Sequence, residues 1–438
     1  MRAPRSSFIR LLAAGVVAVW PAVLAQEVSK PATNYSLTVR ADKPGAIYRR
    51  GEEVRFKVKL LLDRQPVKEG MIEWTLSQDG IPPIRQGQLS LADGEGTVTG
   101  TLERPGFLQC RVAFKTPAGA TISALGGAGI DPLEIKPSLP VPEDFDAFWD
   151  AQKRKLAQVP MNARLTPVEA RTDGIESFDL QADCVGAPVS GYYSRPAGAK
   201  PKSLPAYLSV HGAGVRSSDL GTTVTWAKEG FLALDINAHG IPNGKPAAYY
   251  TDLANGELKD YRTRGRESRE TVYFLGMFLR LVRAMDFLAA QPEWDGRTLV
   301  VRGSSQGGAQ AIAAAGLDSR VSFFAAGVPA LCDHTATVVG RVCGWPKLVP
   351  VAADGKPDAA ILEVARYYDA VNFAARAKAP AIFTVGFIDT TCPPSSVYAA
   401  YNALRNPKTI YNDVLSKHEN TPGAMAAMRE AILRHAGK

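Results

Sequence analysis

The 438-residue sequence has few of the features that mark several classes of protein. It contains only five cysteines and five histidines, and 46% of its residues are hydrophobic against 21% charged. This balance excludes collagen-like, coiled-coil and wholly disordered chains. Beyond the N-terminal segment, no stretch has the ~20 uninterrupted apolar residues of a membrane-spanning helix, and no basic run resembles a nucleic-acid-binding surface. We therefore expect a globular protein of two or three domains with no nucleic-acid partner.

The cysteines are too few and too scattered to predict a metal site or a disulfide framework. An odd number leaves at least one thiol unpaired, and no pair has zinc-ligand spacing. Only two of them lie close enough in sequence to suggest a bridged loop, Cys332 and Cys343. Cys110 alternates with apolar neighbours and is predicted to be a buried strand residue.

Residues 1–25 have the pattern of a signal peptide. Basic residues precede the apolar stretch 11–19, and small residues at 22–25 lead to Gln26. Cleavage after Ala25 is expected, which predicts a periplasmic or secreted protein with no membrane partner; an uncleaved anchor is the alternative. Loss of this leader removes three arginines and lowers the formal charge from +8 to +5.

Residues 33–135 carry strand signals and almost no helix signal. Apolar and polar residues alternate over residues 54–60 and 108–114, and Asp-Gly turn sequences separate such runs. Short, evenly spaced strands predict an immunoglobulin-like β-sandwich. A structural or oligomer-forming role is favoured for it, with carbohydrate binding left open.

The pattern changes after the proline-rich linker 137–142. Short apolar runs at 205–210, 231–236, 298–301 and 381–385 alternate with helical stretches such as 276–290. This alternation predicts that residues 136–438 form an α/β domain whose mostly parallel sheet carries helices on both faces.

The strongest chemical signal is the sequence Gly303-Ser304-Ser305-Gln306-Gly307. It follows a predicted strand and opens an Ala-rich helix, which is the context of a nucleophile elbow. Side chains at the two glycine positions would collide with neighbouring elements. Ser305 is therefore the predicted nucleophile, and Ser304, without a glycine two residues before it, is the rival hydroxyl.

A serine nucleophile needs a base and an acid, which follow it in the order acid, then histidine, in α/β-hydrolases. That order leaves three histidines, of which His334 comes early and His435 lies near the chain end. His418, in a polar loop before the terminal helix, is the predicted base. Asp389 leaves a late strand and is the predicted acid. Asp413 is its alternative, and a mere helix cap is the competing role for Asp389.

The transition state also needs donors for its oxyanion. The backbone amide of Gln306, next to the nucleophile, should be one donor, and that of Ala213, in the loop after an early strand, the other. His211 in this loop is interpreted as structural.

These residues resemble the acetyl xylan esterase/cephalosporin C deacetylase family, carbohydrate esterase family 7. The resemblance runs from residue 141 to the C-terminus, and its most specific part is Asp389-Thr390-Thr391-Cys392-Pro393-Pro394. It implies an α/β-hydrolase with Ser305, Asp389 and His418 as triad that removes acetyl groups from xylan-derived sugars. It also implies a protein that is often oligomeric, and no metal or organic cofactor.

The sequence departs from the family pattern in three places. Ala213 stands where tyrosine is usual and Ser304 where glycine is usual, and Phe274-Leu275-Gly276 replaces a Tyr-Arg-Gly sequence. The acyl and sugar preferences are therefore left open. The alternatives are a larger acyl or a uronoyl ester, a prolyl-oligopeptidase-like peptidase, and a non-catalytic polysaccharide-binding protein.

Overall fold

The computed structural model describes residues 34–81, 83–170 and 172–438, so the predicted leader, residues 1–25, lies outside it. Tyr35–Lys438 form one compact unit. The helices of the described residues include none with the length and apolar character needed to cross a membrane.

The N-terminal region is all-β. Its strands, in spatial order β1-β3-β7-β6-β5-β8-β9-β2, pair antiparallel except at β2–β9, and β4 pairs with β3. Alternate residues of β3 are buried, as the period-two pattern predicts. The immunoglobulin-like arrangement stays a prediction. The strands are β1 Tyr35–Ala41, β2 Ile47–Tyr48, β3 Val54–Leu62, β4 Gln65–Pro66, β5 Glu69–Gln78, β6 Arg85–Ala92, β7 Glu95–Gly100, β8 Gly106–Lys115 and β9 Thr121–Ile130.

The second region is built on a mixed sheet in the order β10-β11-β12-β14-β13-β15-β16-β17-β18. β10, β11, β12 and β14 pair antiparallel, and every pair from β14 to β18 is parallel. The mostly parallel sheet is thus confirmed. Its strands are β10 Arg164–Val168, β11 Ile175–Ala182, β12 Val189–Pro196, β13 Leu204–Val210, β14 Leu232–Ile236, β15 Trp294–Ser304, β16 Phe323–Gly327, β17 Ala381–Gly386 and β18 Lys408–Asp413.

Helices cover both faces of this sheet, as predicted. Along β13, Ala206 and Leu208 pack into the larger core with α4 and α5, whereas Tyr207 packs on the opposite face with α2 and α9. Alternation across a pleated strand produces this division. The helices are α1 Phe145–Ala157, α2 Leu220–Lys228, α3 Ala247–Asn255, α4 Tyr273–Ala289, α5 Gln306–Leu317, α6 Ala359–Ala365, α7 Ala370–Ala374, α8 Pro394–Ala403 and α9 Pro422–His435.

The two regions share a packed boundary. Phe107, a fully buried residue of β8, contacts Phe387 edge-to-face at 4.9 Å and Tyr398 at 5.5 Å between ring centroids. Burial of such a side chain stabilises by about 1.5–3 kcal/mol. Gly127 of β9 lies so close to Phe387 that a Cβ there would be 2.4 Å from the Phe387 carbonyl oxygen. The all-β region is therefore fitted directly against the segment that follows β17.

The linker between the regions is also anchored. Ser138 donates to the carboxylate of Asp333 from its amide (3.0 Å) and its hydroxyl (2.8 Å), and Arg341 contacts the same carboxylate at 2.7 Å. The proposed boundaries, 33–135 and 136–438, stay predictions.

All five cysteines are buried and free, so the suggested Cys332–Cys343 bridge is not formed. The Cys332 thiol instead lies 3.3 Å from the carbonyl oxygen of Ala330. Cys110 is a buried residue of β8, as its apolar neighbours indicate.

Candidate active site

The strand β15, the turn at Ser305 and the helix α5 form the predicted elbow. Ser305 has φ 57° and ψ −123°, a strained conformation for a residue with a side chain. A Cβ on Gly303 would lie 2.2 Å from the Gly307 oxygen, and one on Gly307 would lie 2.3 Å from the Val210 oxygen. Both glycines are therefore required by close backbone contacts, which place the half-buried serine at the helix N-terminus.

The structure brings Ser305, His418 and Asp389 together. His418 Nε2 lies 2.8 Å from Ser305 Oγ, and His418 Nδ1 lies 2.7 Å from Asp389 Oδ2. The carboxylate accepts a hydrogen bond from the Nδ1–H group, so Nε2 is left with a lone pair directed at the serine hydroxyl. The Asp389 side chain is 1% exposed and that of His418 is 24% exposed. The predicted acid is shielded while the predicted base reaches the surface.

Asp389 is held by the backbone that follows it. Its Oδ1 accepts hydrogen bonds from the amides of Thr391 (2.8 Å) and Cys392 (2.9 Å). The carboxylate thus organises its own turn with one oxygen and binds His418 with the other, so capping and contact with the base are not exclusive. Asp413, the alternative acid, accepts from the Thr421 hydroxyl at 2.6 Å instead.

The other two late histidines have different surroundings. His435 Nε2 lies 2.9 Å from Ser322 Oγ, and its ring stacks on Phe323. His334 is fully buried, and burial lowers its pKa to about 4. Of the three candidates, His418 alone among the described residues has a hydrogen bond to Ser305.

A polar cluster that sequence reasoning missed anchors the loop of His418. Asn420 donates to Ser304 Oγ at 3.0 Å and accepts from the Thr384 hydroxyl at 2.5 Å. Ser304, the rival hydroxyl, is therefore engaged in holding this loop to the elbow. Ser304 stands where the family pattern has glycine, and its hydroxyl oxygen is the acceptor for Asn420. Only the position of Asn420, two residues after the predicted base, could have signalled this role.

The predicted oxyanion loop lies against the elbow. A Cβ on Gly212 would be 3.5 Å from Ser305 Cβ. Among the described residues, no hydrogen bond is donated by the amide of Ala213 or by that of Gln306. Both predicted donors are therefore available to a ligand, although Ala213 carries no side chain that could wall the pocket as a tyrosine would.

Tyr261, another residue missed from the sequence, ties the two oxyanion segments together. Its hydroxyl donates to Gln306 Oε1 at 2.9 Å and accepts from the Gly214 amide at 3.3 Å. Tyr261 lies in an irregular segment between α3 and α4, and no periodic or motif signal marked it.

His211 and His239 brace the same loop. His211 Nε2 accepts from the Ala238 amide at 3.1 Å, and His239 lies 3.2 Å from the Gly214 oxygen through Nε2. Burial lowers the pKa of His211 to about 3 and that of His239 to about 4. Both rings are therefore neutral at pH 7, which agrees with the structural role predicted for His211.

One group of the site has the composition of a metal site. Ligand atoms of Asp389, Cys392 and His418 lie within 4.8 Å of one another. Burial, with Asp389 nearby, raises the pKa of the Cys392 thiol well above its usual range, which keeps the sulfur protonated. Both carboxylate oxygens of Asp389 and both ring nitrogens of His418 already take part in hydrogen bonds, so the group fits the hydrogen-bonded triad better.

Ser305 lies at a strand–turn–helix elbow on a mostly parallel sheet and is hydrogen-bonded through His418 to the carboxylate of Asp389. This is the arrangement of α/β-hydrolase esterases. Residues 133–435 match the acetyl xylan esterase (AXE1) family. The chain belongs to the acetyl xylan esterase family and is a carboxylic ester hydrolase.

Individual relatives agree with this assignment. Acetyl esterase Axe7A of Xylanibacter ruminicola is 29% identical over 385 residues, which cover 86% of this chain and 85% of that protein. Among solved structures, an acetyl xylan esterase from Paenibacillus sp. R4 has a TM-score of 0.59 at 29% identity, covering 69% of this chain and 98% of its own. Acetyl xylan esterase 1 from Thermoanaerobacterium sp. JW/SL YS485 has the same TM-score at 23% identity, and the match covers 69% of this chain and 97% of that protein. This second structure supports the fold.

A substitution at Gly307 tests whether the close backbone contacts of the elbow require glycine. Gly307→Ala places a methyl group against the Val210 carbonyl, so we expect the free energy of unfolding to fall by about 1–3 kcal/mol and the esterase rate to fall with it. Denaturant unfolding and hydrolysis of p-nitrophenyl acetate measure both. Gly45→Ala is the matched control, since no atom lies within 4 Å of its added Cβ. Equal behaviour of the two variants would contradict the steric requirement.

Proposed function

We propose that the protein is an exported serine carbohydrate esterase that removes acetyl groups from acetylated xylan or xylo-oligosaccharides. The observation that carries this proposal is the continuous hydrogen-bonded series from Ser305 Oγ through His418 to Asp389, at 2.8 and 2.7 Å. Family membership supports the ester chemistry, and the names of the relatives support an acetyl group on xylan. Homo-oligomer formation stays a prediction.

In the acylation half-reaction, Ser305 Oγ attacks the acetyl carbonyl carbon while His418 Nε2 takes the hydroxyl proton. The negative charge that develops on the carbonyl oxygen is stabilised by the amides of Gln306 and Ala213. Asp389 stabilises the imidazolium form of His418. Collapse of the tetrahedral intermediate breaks the bond to the sugar oxygen, which receives the proton from Nε2. The acetyl group remains on Ser305.

The second half-reaction uses the same groups with water as the nucleophile. His418 removes a proton from water as its oxygen attacks the acetyl-enzyme carbonyl, and the proton then returns to Ser305 Oγ as acetate leaves. The 24% exposure of His418 provides access for this water. Every step uses a proton transfer at Nε2, so the fixed Nδ1 contact with Asp389 matters in both halves.

The small side chain of Ala213 favours a second candidate function, an esterase that acts on acyl groups larger than acetyl. A larger acyl group would meet less obstruction next to the oxyanion loop than in a relative with tyrosine there. The comparison of acetyl and butyryl substrates below decides between these specificities.

Ser305→Ala should lower the rate of p-nitrophenyl acetate hydrolysis by about 10⁴-fold or more, because the covalent path is lost. It should also abolish labelling by a fluorophosphonate probe. Ser90→Ala, at an exposed serine of β6, is the matched control. Ser304→Ala should still be labelled at Ser305, as peptide mass spectrometry would establish. A fully active Ser305→Ala protein would rule out this mechanism.

Acetate release from acetylated xylo-oligosaccharides should exceed butyrate release from the same sugars butyrylated at the same positions. Quantification of the free acids over time measures both rates. Faster butyrate release would favour the larger-acyl specificity. Tight xylan retention, with no acid released from either substrate and no fluorophosphonate labelling, would favour a non-catalytic binding protein.

Export is tested by the mature N-terminus. Expressed with its leader in a Gram-negative bacterium, the protein should appear in the periplasm or medium with Gln26 as its first residue. N-terminal sequencing checks this. A protein that stays in the membrane fraction with residues 1–25 attached would instead indicate an anchor.

A further inference from the structure

A groove runs along the boundary between the all-β region and the catalytic loops. Its first part, about 440 Å³, lies between β1, β8 and β9 on one side and the segments after β17 and β18 on the other. A second part, about 330 Å³, shares Arg111, Leu125 and Thr390 with the first. We call the two parts together the junction groove.

The junction groove adjoins the triad through the chain itself. Thr390, which lines both parts, directly follows the acid Asp389, and Lys417, in the first part, directly precedes the base His418. The close contact of Gly127 with Phe387 holds β9 against this same segment. A molecule in the groove would therefore contact the chain neighbours of both the acid and the base.

The groove is lined by unpaired cations. Arg40, Arg111 and Lys417 line the first part, and Lys347 lines the second. None of the four forms an ion pair with another of the described residues. The lining acid is Asp79, and burial raises its pKa to about 7, so that it is only partly ionised near neutral pH. The groove therefore presents a positive field that suits an anionic ligand.

Leucine side chains and hydroxyl groups lie between these charges. Leu37, Leu125 and Leu415 contribute to the first part, and Leu415 is 48% exposed. Such a surface suits the C–H faces of a sugar chain, while the cations suit carboxylates carried on it. An acetyl group itself offers few contacts, so most of the binding energy for the substrate must come from the remainder of the molecule.

We propose that the junction groove binds the sugar chain of the substrate and that its cations favour chains bearing carboxylate substituents, as on uronic acids. This inference rests on the proposed esterase function. It assigns the all-β region a direct part in substrate selection, through Arg40 of β1 and Arg111 of β8.

The test compares two acetylated xylo-oligosaccharides of equal length, one neutral and one carrying a uronic acid. We expect kcat/KM to be higher for the acidic substrate, and this preference to weaken with added salt because exposed charges are screened. Reversal of two cations in Arg40→Glu/Arg111→Glu should lower the acidic-to-neutral ratio by about tenfold. The milder pair Arg40→Gln/Arg111→Gln should lower it less, which guards against a folding defect in the first variant.

Lys200→Glu/Lys202→Glu is the matched control, with the same charge change on exposed residues of the loop before β13 that do not line the groove. Its acidic-to-neutral ratio should equal that of the unaltered protein. An unchanged ratio in Arg40→Glu/Arg111→Glu, or an equal fall in the control, would overturn the groove proposal while leaving the esterase intact. Failure of the unaltered protein to hydrolyse either substrate or p-nitrophenyl acetate would instead overturn the esterase function, and this inference with it.

Discussion

Three backbone segments meet at Ser305 with almost no space between them. The end of β13, the end of β15 and the first turn of α5 approach so closely that Gly303 and Gly307 leave no room for a Cβ. This contact forces the serine into its strained turn, and the Ser305 amide is held by the Gly327 oxygen at 2.8 Å. It also brings the loop after β13 beside the nucleophile. The nucleophile and both predicted oxyanion amides depend on this one packing constraint.

The remainder of the site is assembled by hydrogen bonds between loops at the carboxyl ends of parallel strands. Asp389 follows β17 and His418 follows β18, and each is held by neighbours that take no part in the proposed chemistry. Asn420 ties the His418 loop to the elbow, and Tyr261 ties the oxyanion loop to Gln306. Because these supports are partly or wholly buried, the reacting groups are positioned before a substrate binds, which is the condition for electrostatic catalysis.

The all-β region is continuous with this machinery. Phe107 belongs to the same buried core as the catalytic sheet, and Gly127 packs on the residue that starts the Asp389 segment. A module linked only by a flexible tether would leave no fixed groove beside the triad. Here the boundary is buried and closely packed, so charges on β1 and β8 are placed beside the segments that carry Asp389 and His418. The all-β region therefore acquires a specific use in the proposed substrate selection.

Short sequence patterns and the order of residues along the chain predicted much of the fold and of the candidate site. The two glycines of the elbow, the alternation of β3 and the order of Ser305, Asp389 and His418 are properties of short segments or of chain order, and they predicted the sheet and the grouping of the three residues. Tyr261 and Asn420 were missed because neither belongs to a periodic pattern. The junction groove, with Arg40, Arg111 and Lys417, is a product of tertiary structure alone, since residues so far apart in sequence meet only when two separately patterned regions bury their shared boundary.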